Sequence, residues 1–307
     1  MTIVYFGTAE FAGPPLRAVA KHVRLVVSQP DRASGRGLSL KPSPVKRAAL
    51  ELGIPVATPE KARSTDFVET VRSLEPDMLL VAAYGQILSK SLLQTAKHGG
   101  INLHGSILPK YRGAAPIQRA VLAGEGFTGV TVMQMDEGMD TGDVIATELV
   151  SIGPDETSGE LFDRLADVAA RLAASWAPLI ESGDYDRAPQ DPSQATYAPR
   201  IDKSEAELSP FRDAVDEYNR YRAFTPSPGA FLTTLAGVVK VTRARLIAGP
   251  SPGPGKLVRM ADAVALGFRQ GALNLIEVKP EGKRAMSGTD FMNGLRFTTG
   301  DVLVEEI

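Results

Sequence analysis

Apolar residues in the first half of this chain fall into short continuous runs that alternate with stretches of helical period. Residues 2–6 (TIVYF), 23–27, 54–57 and 78–83 (MLLVAA) read as strands. Between them, Leu16, Val19 and Ala20, then residues 45–52, then residues 65–74 read as helices. This alternation predicts an α/β fold with a doubly wound, mostly parallel sheet, apolar along each strand because both faces are covered. Ligands in such sheets sit beyond the carboxyl ends of the strands. Residues 84–88 and those following Asn102 fall there. Next come a predicted helix at 116–123 and two alternating strands at 129–135 and 144–150. A long amphipathic helix is predicted over 157–180, begun by Thr157 or Ser158, with Leu161, Leu165, Val168 and Leu172 on one face.

The pattern changes at residues 182–202, which are polar and proline-bearing and read as a linker. Beyond Glu205 a helix precedes five short β-like runs at 230–235, 238–246, 256–260, 263–268 and 272–278, and 286–295 reads as a final helix. Five short strands with turns between them predict a small β-barrel, the oligonucleotide-binding type being one candidate. The expected organisation is a domain over 1–182, a linker over 183–204 and a smaller barrel domain over 205–307.

Composition narrows the chemistry. The 307 residues include no cysteine, which excludes a disulfide framework, a thiolate nucleophile and thiolate-bound zinc. The opening MTIVYFGTAEF has no basic region followed by a long apolar stretch, and no run has membrane-span length, so a cytoplasmic location without membrane association is expected. A formal net charge of −2 means that any nucleic-acid contact must come from local basic patches. One such patch is the excursion 29–45, QPDRASGRGLSLKPSPV, which carries Arg32, Arg36 and Lys41 among prolines and glycines. It reads either as a solvated surface loop or as a phosphate-contacting one. Gly7 and Gly13 do not have dinucleotide-fingerprint spacing, so the first turn reads as an ordinary α/β turn.

Candidate chemistry concentrates in residues 101–143. Asn102 and His104 are two apart on an extended segment and so share a side. An amide donor beside an imidazole suits an oxyanion developing at an attacked carbonyl, and Asp140 on the loop that follows could orient the imidazole or take a proton. The ordinary readings are that Asn102 and His104 cap loops and that Asp140 forms a turn. His104, Asp136, Asp140 and Asp143 also offer metal ligands, but one histidine without zinc-like spacing ranks that reading low, and no metal is expected. Residue spacing alone leaves acyl-type transfer and hydrolysis both open.

The stretch INLHGSILPKYRGAAPIQRAVLAGE followed by TGVTVMQMDEGMDTGD resembles the methionyl-tRNA formyltransferase family. So do FGTAEFA, QPDRASGRG with KPSPVK, VAAYGQIL and TYAPRIDKSEAEL, and more weakly KPEGKRAMSG. The resemblance implies transfer of the formyl group of 10-formyltetrahydrofolate to the amino group of methionine on initiator tRNA. It places the family's Asn–His–Asp triad on Asn102, His104 and Asp140. It places the folate segment on Ser106, Ile107, Leu108 and Pro109, with the pterin pocket lined by Tyr84, Gln86, Ile87 and Leu88. It implies tRNA contacts from Arg36 at the centre of the basic loop, from Arg32 and Lys41, and from Lys240, Lys283 and Arg284 on the barrel, in a monomer. Two departures from the family pattern stand out. Thr225-Pro226-Ser227-Pro228 and Glu207-Leu208-Ser209 occupy positions where tryptophan is usual. A glycinamide-ribonucleotide or amino-sugar formyltransferase, a formyl-folate hydrolase and a silent binding module are the rival readings.

Overall fold

The computed structural model describes residues 1–34, 39–260 and 263–306. The chain divides into two compact units. Unit 1 comprises 1–116, 127–151 and 162–199; unit 2 comprises 117–126, 152–161 and 200–307.

Unit 1 is built on the predicted sheet. Its strands and helices run β1 (Ile3–Gly7), α1 (Gly13–Val19), β2 (Val23–Val27), β3 (Arg32–Ser34), β4 (Ser39–Lys41), α2 (Pro44–Glu51), β5 (Val56–Ala57), α3 (Thr65–Arg72), β6 (Met78–Ala82), α4 (Lys90–Leu93), β7 (Gly100–His104) and β8 (Arg112–Gly113). After α5 (Pro116–Leu122) come β9 (Phe127–Gln134), β10 (Val144–Ser151), α6 (Ser158–Ser182) and β11 (Tyr197–Ala198), with residues 117–122 of α5 and 158–161 of α6 belonging to unit 2. Among the described residues the main sheet has the order β10-β9-β7-β6-β1-β2-β5. β5, β2, β1, β6 and β7 are parallel, whereas β9 pairs antiparallel with both β7 and the edge strand β10. Every residue of β1 and β6 is buried, as strands covered on both faces must be. Gly7 closes β1 because a Cβ there would meet the Ala12 Cβ at 2.8 Å. Helix α2 starts with Pro44 at its first position and the Ser43 hydroxyl accepting from the Lys46 N–H. On α6, Leu161, Leu165, Val168 and Leu172 are all buried, in line with their spacing. The Thr157 and Glu160 side chains reciprocally bond each other's backbone N–H, a capping box that fixes where the helix begins.

Two segments depart from expectation. The basic excursion carries a short antiparallel ribbon, β3 on β4, with Arg32 opposite Lys41. Residues 183–199, expected as linker, are built into unit 1, where β11 pairs with β8 and Ala188 bridges Val144 in both directions.

Unit 2 holds α7 (Ala214–Ala223), β12 (Phe231–Thr234), β13 (Gly237–Ile247), β14 (Leu257–Met260), β15 (Ala263–Gly267), β16 (Ala272–Pro280), β17 (Met286–Ser287) and α8 (Gly288–Gly294). Its strands pair antiparallel in the order β12-β13-β16-β15-β14, the barrel-like sheet expected from the five runs. The start of the expected last helix is instead β17, pairing with β16. Tyr218, Tyr221, Phe268, Leu266 and Leu232 fill the core. Leu208, in the Glu207-Leu208-Ser209 segment that departs from the family pattern, is 3% exposed and belongs to that core. Thr225-Pro226 packs on the first turn of α6: the Thr225 carbonyl accepts from the Ser158 hydroxyl and the Gly159 N–H, each at 3.1 Å. Among the described residues no helix is long and apolar enough to cross a membrane.

Candidate active site

The site lies beyond the carboxyl end of β7, where two-residue periodicity turns Ile101 and Leu103 into the core and Asn102 and His104 to the other side. His104 is 6% exposed. Its Nε2 lies 3.0 Å from the Tyr111 carbonyl oxygen. A carbonyl can only accept, so Nε2 carries a proton and Nδ1 is the nitrogen turned toward Asp140, 3.6 Å from Oδ2. That distance is too long for a hydrogen bond, and the contact is an ion pair only when Nδ1 also carries a proton. The Asn102 amide reaches Asp140 Oδ1 at 3.4 Å, and the Gly113 N–H donates to Asp140 Oδ2 at 2.8 Å. The structure thus brings together all three residues singled out in the sequence.

Four carboxylates crowd the loop after β9, and their partners sort them. Asp136 accepts from the Gly138 N–H and the Thr141 hydroxyl, folding the loop on itself. Glu137 pairs with Lys90 at 2.9 Å and Asp143 with Arg187 at 3.4 Å. Asp140 faces the imidazole. Its backbone holds φ +54°, a left-handed conformation uncommon for a non-glycine residue. Gly142 is demanded by close approach, because a Cβ there would lie 1.8 Å from the Gln134 carbonyl oxygen. Among the described residues no three metal-ligating side chains converge.

Ser106, Ile107, Leu108 and Pro109 form a tight turn directly after β7. Ser106 is fully buried, its hydroxyl donating to the Lys110 carbonyl at 2.7 Å. Thr131, also fully buried, donates to the Ser106 carbonyl at 2.7 Å and accepts from the Leu108 N–H at 3.2 Å. Sequence reasoning misses Thr131; the available signal is a hydroxyl in the middle of the apolar run GVTVM. It also misses Arg112 and Gln190, whose partners are far away in the chain.

A cavity of about 190 Å³ opens beside Asp140, lined by Gln86, Ile87, Leu88, Met133, Met135 and residues 136–140. Ile87 and Met139 are exposed at its rim, whereas Leu88 is buried. The Gln86 side chain is tied back, accepting from the Ala62 N–H at 3.1 Å. Tyr84 corrects the expectation that it lines this pocket. Its ring is 2% exposed and meets Phe6 edge-on in the core, and burial pushes its phenol up to about 12. Only its carbonyl faces the loops, accepting from the Thr8 hydroxyl and the Gln29 amide, each at 2.9 Å.

Of the expected tRNA contacts, Arg36 lies outside the described residues, and Arg32 is described only as the first residue of β3. Lys41 is exposed at the end of β4. On unit 2, Lys240, Lys279, Lys283 and Arg284 are exposed, with Lys240 directly opposite Lys279 across β13 and β16.

Comparisons with known proteins bear on the family and the fold. Residues 5–175 match the family model described as Formyl transferase, and residues 200–296 match Formyl transferase, C-terminal domain. The chain is 44% identical to the methionyl-tRNA formyltransferase of Symbiobacterium thermophilum over 301 residues, covering 96% of this chain and 92% of the relative. It is 42% identical to that of Myxococcus xanthus, covering 97% and 96%. Among solved structures, an N-formyltransferase from Helicobacter canadensis, in complex with folinic acid and dTDP-3-aminofucose, superposes with a TM-score of 0.69 at 19% identity, covering 90% of this chain and 99% of that one. HypX from Aquifex aeolicus in complex with tetrahydrofolic acid gives 0.65 at 15% identity, covering 100% of this chain and 51% of that one. At such identities these two likenesses show the fold.

Proposed function

This chain belongs to the methionyl-tRNA formyltransferase family, and we propose that it transfers the formyl group of 10-formyltetrahydrofolate to the α-amino group of methionine on initiator tRNA. The observation that carries this reading is the convergence of Asn102, His104 and Asp140 at the end of β7, with Asp140 alone among its loop's carboxylates facing the imidazole. The amine nitrogen attacks the formyl carbon, and charge develops on the formyl oxygen. The Asn102 amide and His104 stabilise that oxyanion. Asp140 orients the imidazole through its charge and helps remove the proton from the attacking nitrogen. Collapse of the tetrahedral centre breaks the bond to the folate nitrogen, which leaves with a proton.

The cavity beside Asp140 is smaller than the roughly 300–1,000 Å³ usual for a whole ligand. It is of a size for one flat ring system, so the pterin sits there, with Gln86, Ile87, Leu88 and the backbone of 136–140 around it. The turn Ser106, Ile107, Leu108 and Pro109 holds the reacting end of the folate against His104. The acceptor tRNA is held through phosphates by Arg32, Arg36 and Lys41 of the basic stretch 29–45 and by Lys240, Lys283 and Arg284. Lys240 and Lys279, like charges side by side on one sheet face, are unfavourable for the free protein and are relieved by a polyanion. Catalysis belongs to unit 1, which includes residues 183–199, and tRNA binding to unit 2, and the enzyme acts as a cytoplasmic monomer.

The direct test supplies the protein with 10-formyltetrahydrofolate and methionyl-initiator-tRNA and follows formylmethionyl-tRNA. Formate release, or formylation of a nucleotide-linked amino sugar in place of the tRNA, overturns the reading.

A further inference from the structure

We propose that Gln190, itself held by Arg112, is a positioning residue for Asp140; this inference rests on the catalytic role proposed for Asp140. The carboxylate of Asp140 is fixed by the Gly113 N–H, and what fixes its backbone is a different group. Gln190 Nε2 donates to the Asp140 carbonyl at 2.9 Å and to the Gly142 carbonyl at 2.7 Å. Gln190 Oε1 accepts from Arg112 Nε at 3.1 Å and from the second guanidinium nitrogen at 2.7 Å. These partners leave one orientation for the amide: turned over, its oxygen would face two carbonyls and its NH₂ would face a cation. Arg112 is 4% exposed, so the fork is pinned in place.

The two-residue strand β8 therefore grips Asp140 at both ends, the carboxylate through Gly113 and the carbonyl through Arg112 and Gln190. That strand is in turn paired to β11, with Tyr197 opposite Arg112 and Ala198 opposite Gly113. Ala188 bridges Val144 on the other side of the loop. The segment from 188 to 198 is thus a strap across the acidic loop. Asp140 sits in a left-handed conformation, which a non-glycine residue keeps only when its surroundings over-determine it. The two carbonyl contacts from Gln190 supply that constraint and fix the aim of the carboxylate at His104.

Gln190→Glu is the diagnostic change. It keeps the shape and an acceptor for Arg112, but it puts a carboxylate oxygen against two carbonyls. Gln190→Met removes the amide without adding charge and serves if the first variant folds poorly. In the full-length protein, kcat is expected to fall about 10- to 100-fold, with KM for both substrates within about threefold of wild type. A spectroscopic readout independent of the substrate is the ring-nitrogen signals of His104, read in protein with its three histidines labelled. They should move in Gln190→Met in the direction seen in Asp140→Asn. A kcat within about twofold of wild type, or His104 signals that stay at their wild-type positions, overturns the proposal. If the wild-type protein fails to formylate methionyl-tRNA, the functional reading falls while the His104 signals still decide whether the strap aims Asp140.

Discussion

In residues 136–143 of unit 1, four carboxylates each have a different partner, whereas along β13 and β16 of unit 2 cations stand exposed, Lys240 beside Lys279. The first arrangement aims single atoms: Asp140 is fixed through its carboxylate and its carbonyl, on a backbone that requires Gly142. The second presents a field. Proton handling at one nitrogen depends on a few tenths of an ångström, so charge must be positioned. Attraction to a phosphate backbone depends on how many cations face it, and long exposed side chains serve well. Mutations in the two regions should therefore fail differently.

The largest effects belong to the positioned region. Asn102→Ala and His104→Ala should each lower kcat by about 10²- to 10³-fold while leaving the KM for tRNA nearly unchanged, in steady-state formylation assays. Gly142→Ala pushes the loop off the Gln134 carbonyl and should cost roughly 10²-fold in kcat, although residue 142 does not line the cavity beside Asp140. Wild-type turnover in that variant would break the distinction between aimed and presented charge.

Thr131→Val is next. It leaves the Ser106 carbonyl and the Leu108 N–H without their buried partner, so unfolding in denaturant should register a loss of about 1–3 kcal/mol. This hub also shows where sequence reading stops. The strands of unit 1 are legible because apolar runs between helical patterns have few other uses. Asn102 and His104 are legible because alternation puts them on one side. Asp140 is singled out with them, but the contacts that occupy the neighbouring acids, Thr141 on Asp136, Lys90 on Glu137 and Arg187 on Asp143, exist only in the fold. Gln190 reads as linker in the sequence because its partners lie 48 to 78 residues away. Tyr84 escapes a sequence reading because the residue after a buried strand can turn either way, and here Phe6 receives its ring. Within the departing segment Glu207-Leu208-Ser209, Leu208 fills the core of unit 2.

Smaller effects are expected from presented charge. Removing Lys279 or Lys283 should raise the KM for tRNA a few-fold at unchanged kcat and lower the salt slope of binding by about one for each phosphate no longer neutralised. A kcat effect there would blur the comparison. The smallest effect concerns Glu205, whose carboxyl is held below its ordinary value by hydrogen bonds from Arg119. Its contribution is complete above the unfolded value of 4.5 and is lost as pH falls through the lower folded value. Glu205→Gln should therefore lower the thermal midpoint at pH 7 by the equivalent of about 1 kcal/mol or less, with the two proteins converging on acidification.

In the proposed mechanism Asp140, held through its carboxylate and its carbonyl, serves the transfer step and not tRNA binding. Single-turnover formylation at saturating methionyl-tRNA, comparing wild type with Asp140→Asn, tests this most directly. The expected result is a transfer rate lowered about 100-fold or more at unchanged tRNA affinity. Transfer near the wild-type rate, or a loss fully restored by more tRNA, would contradict it.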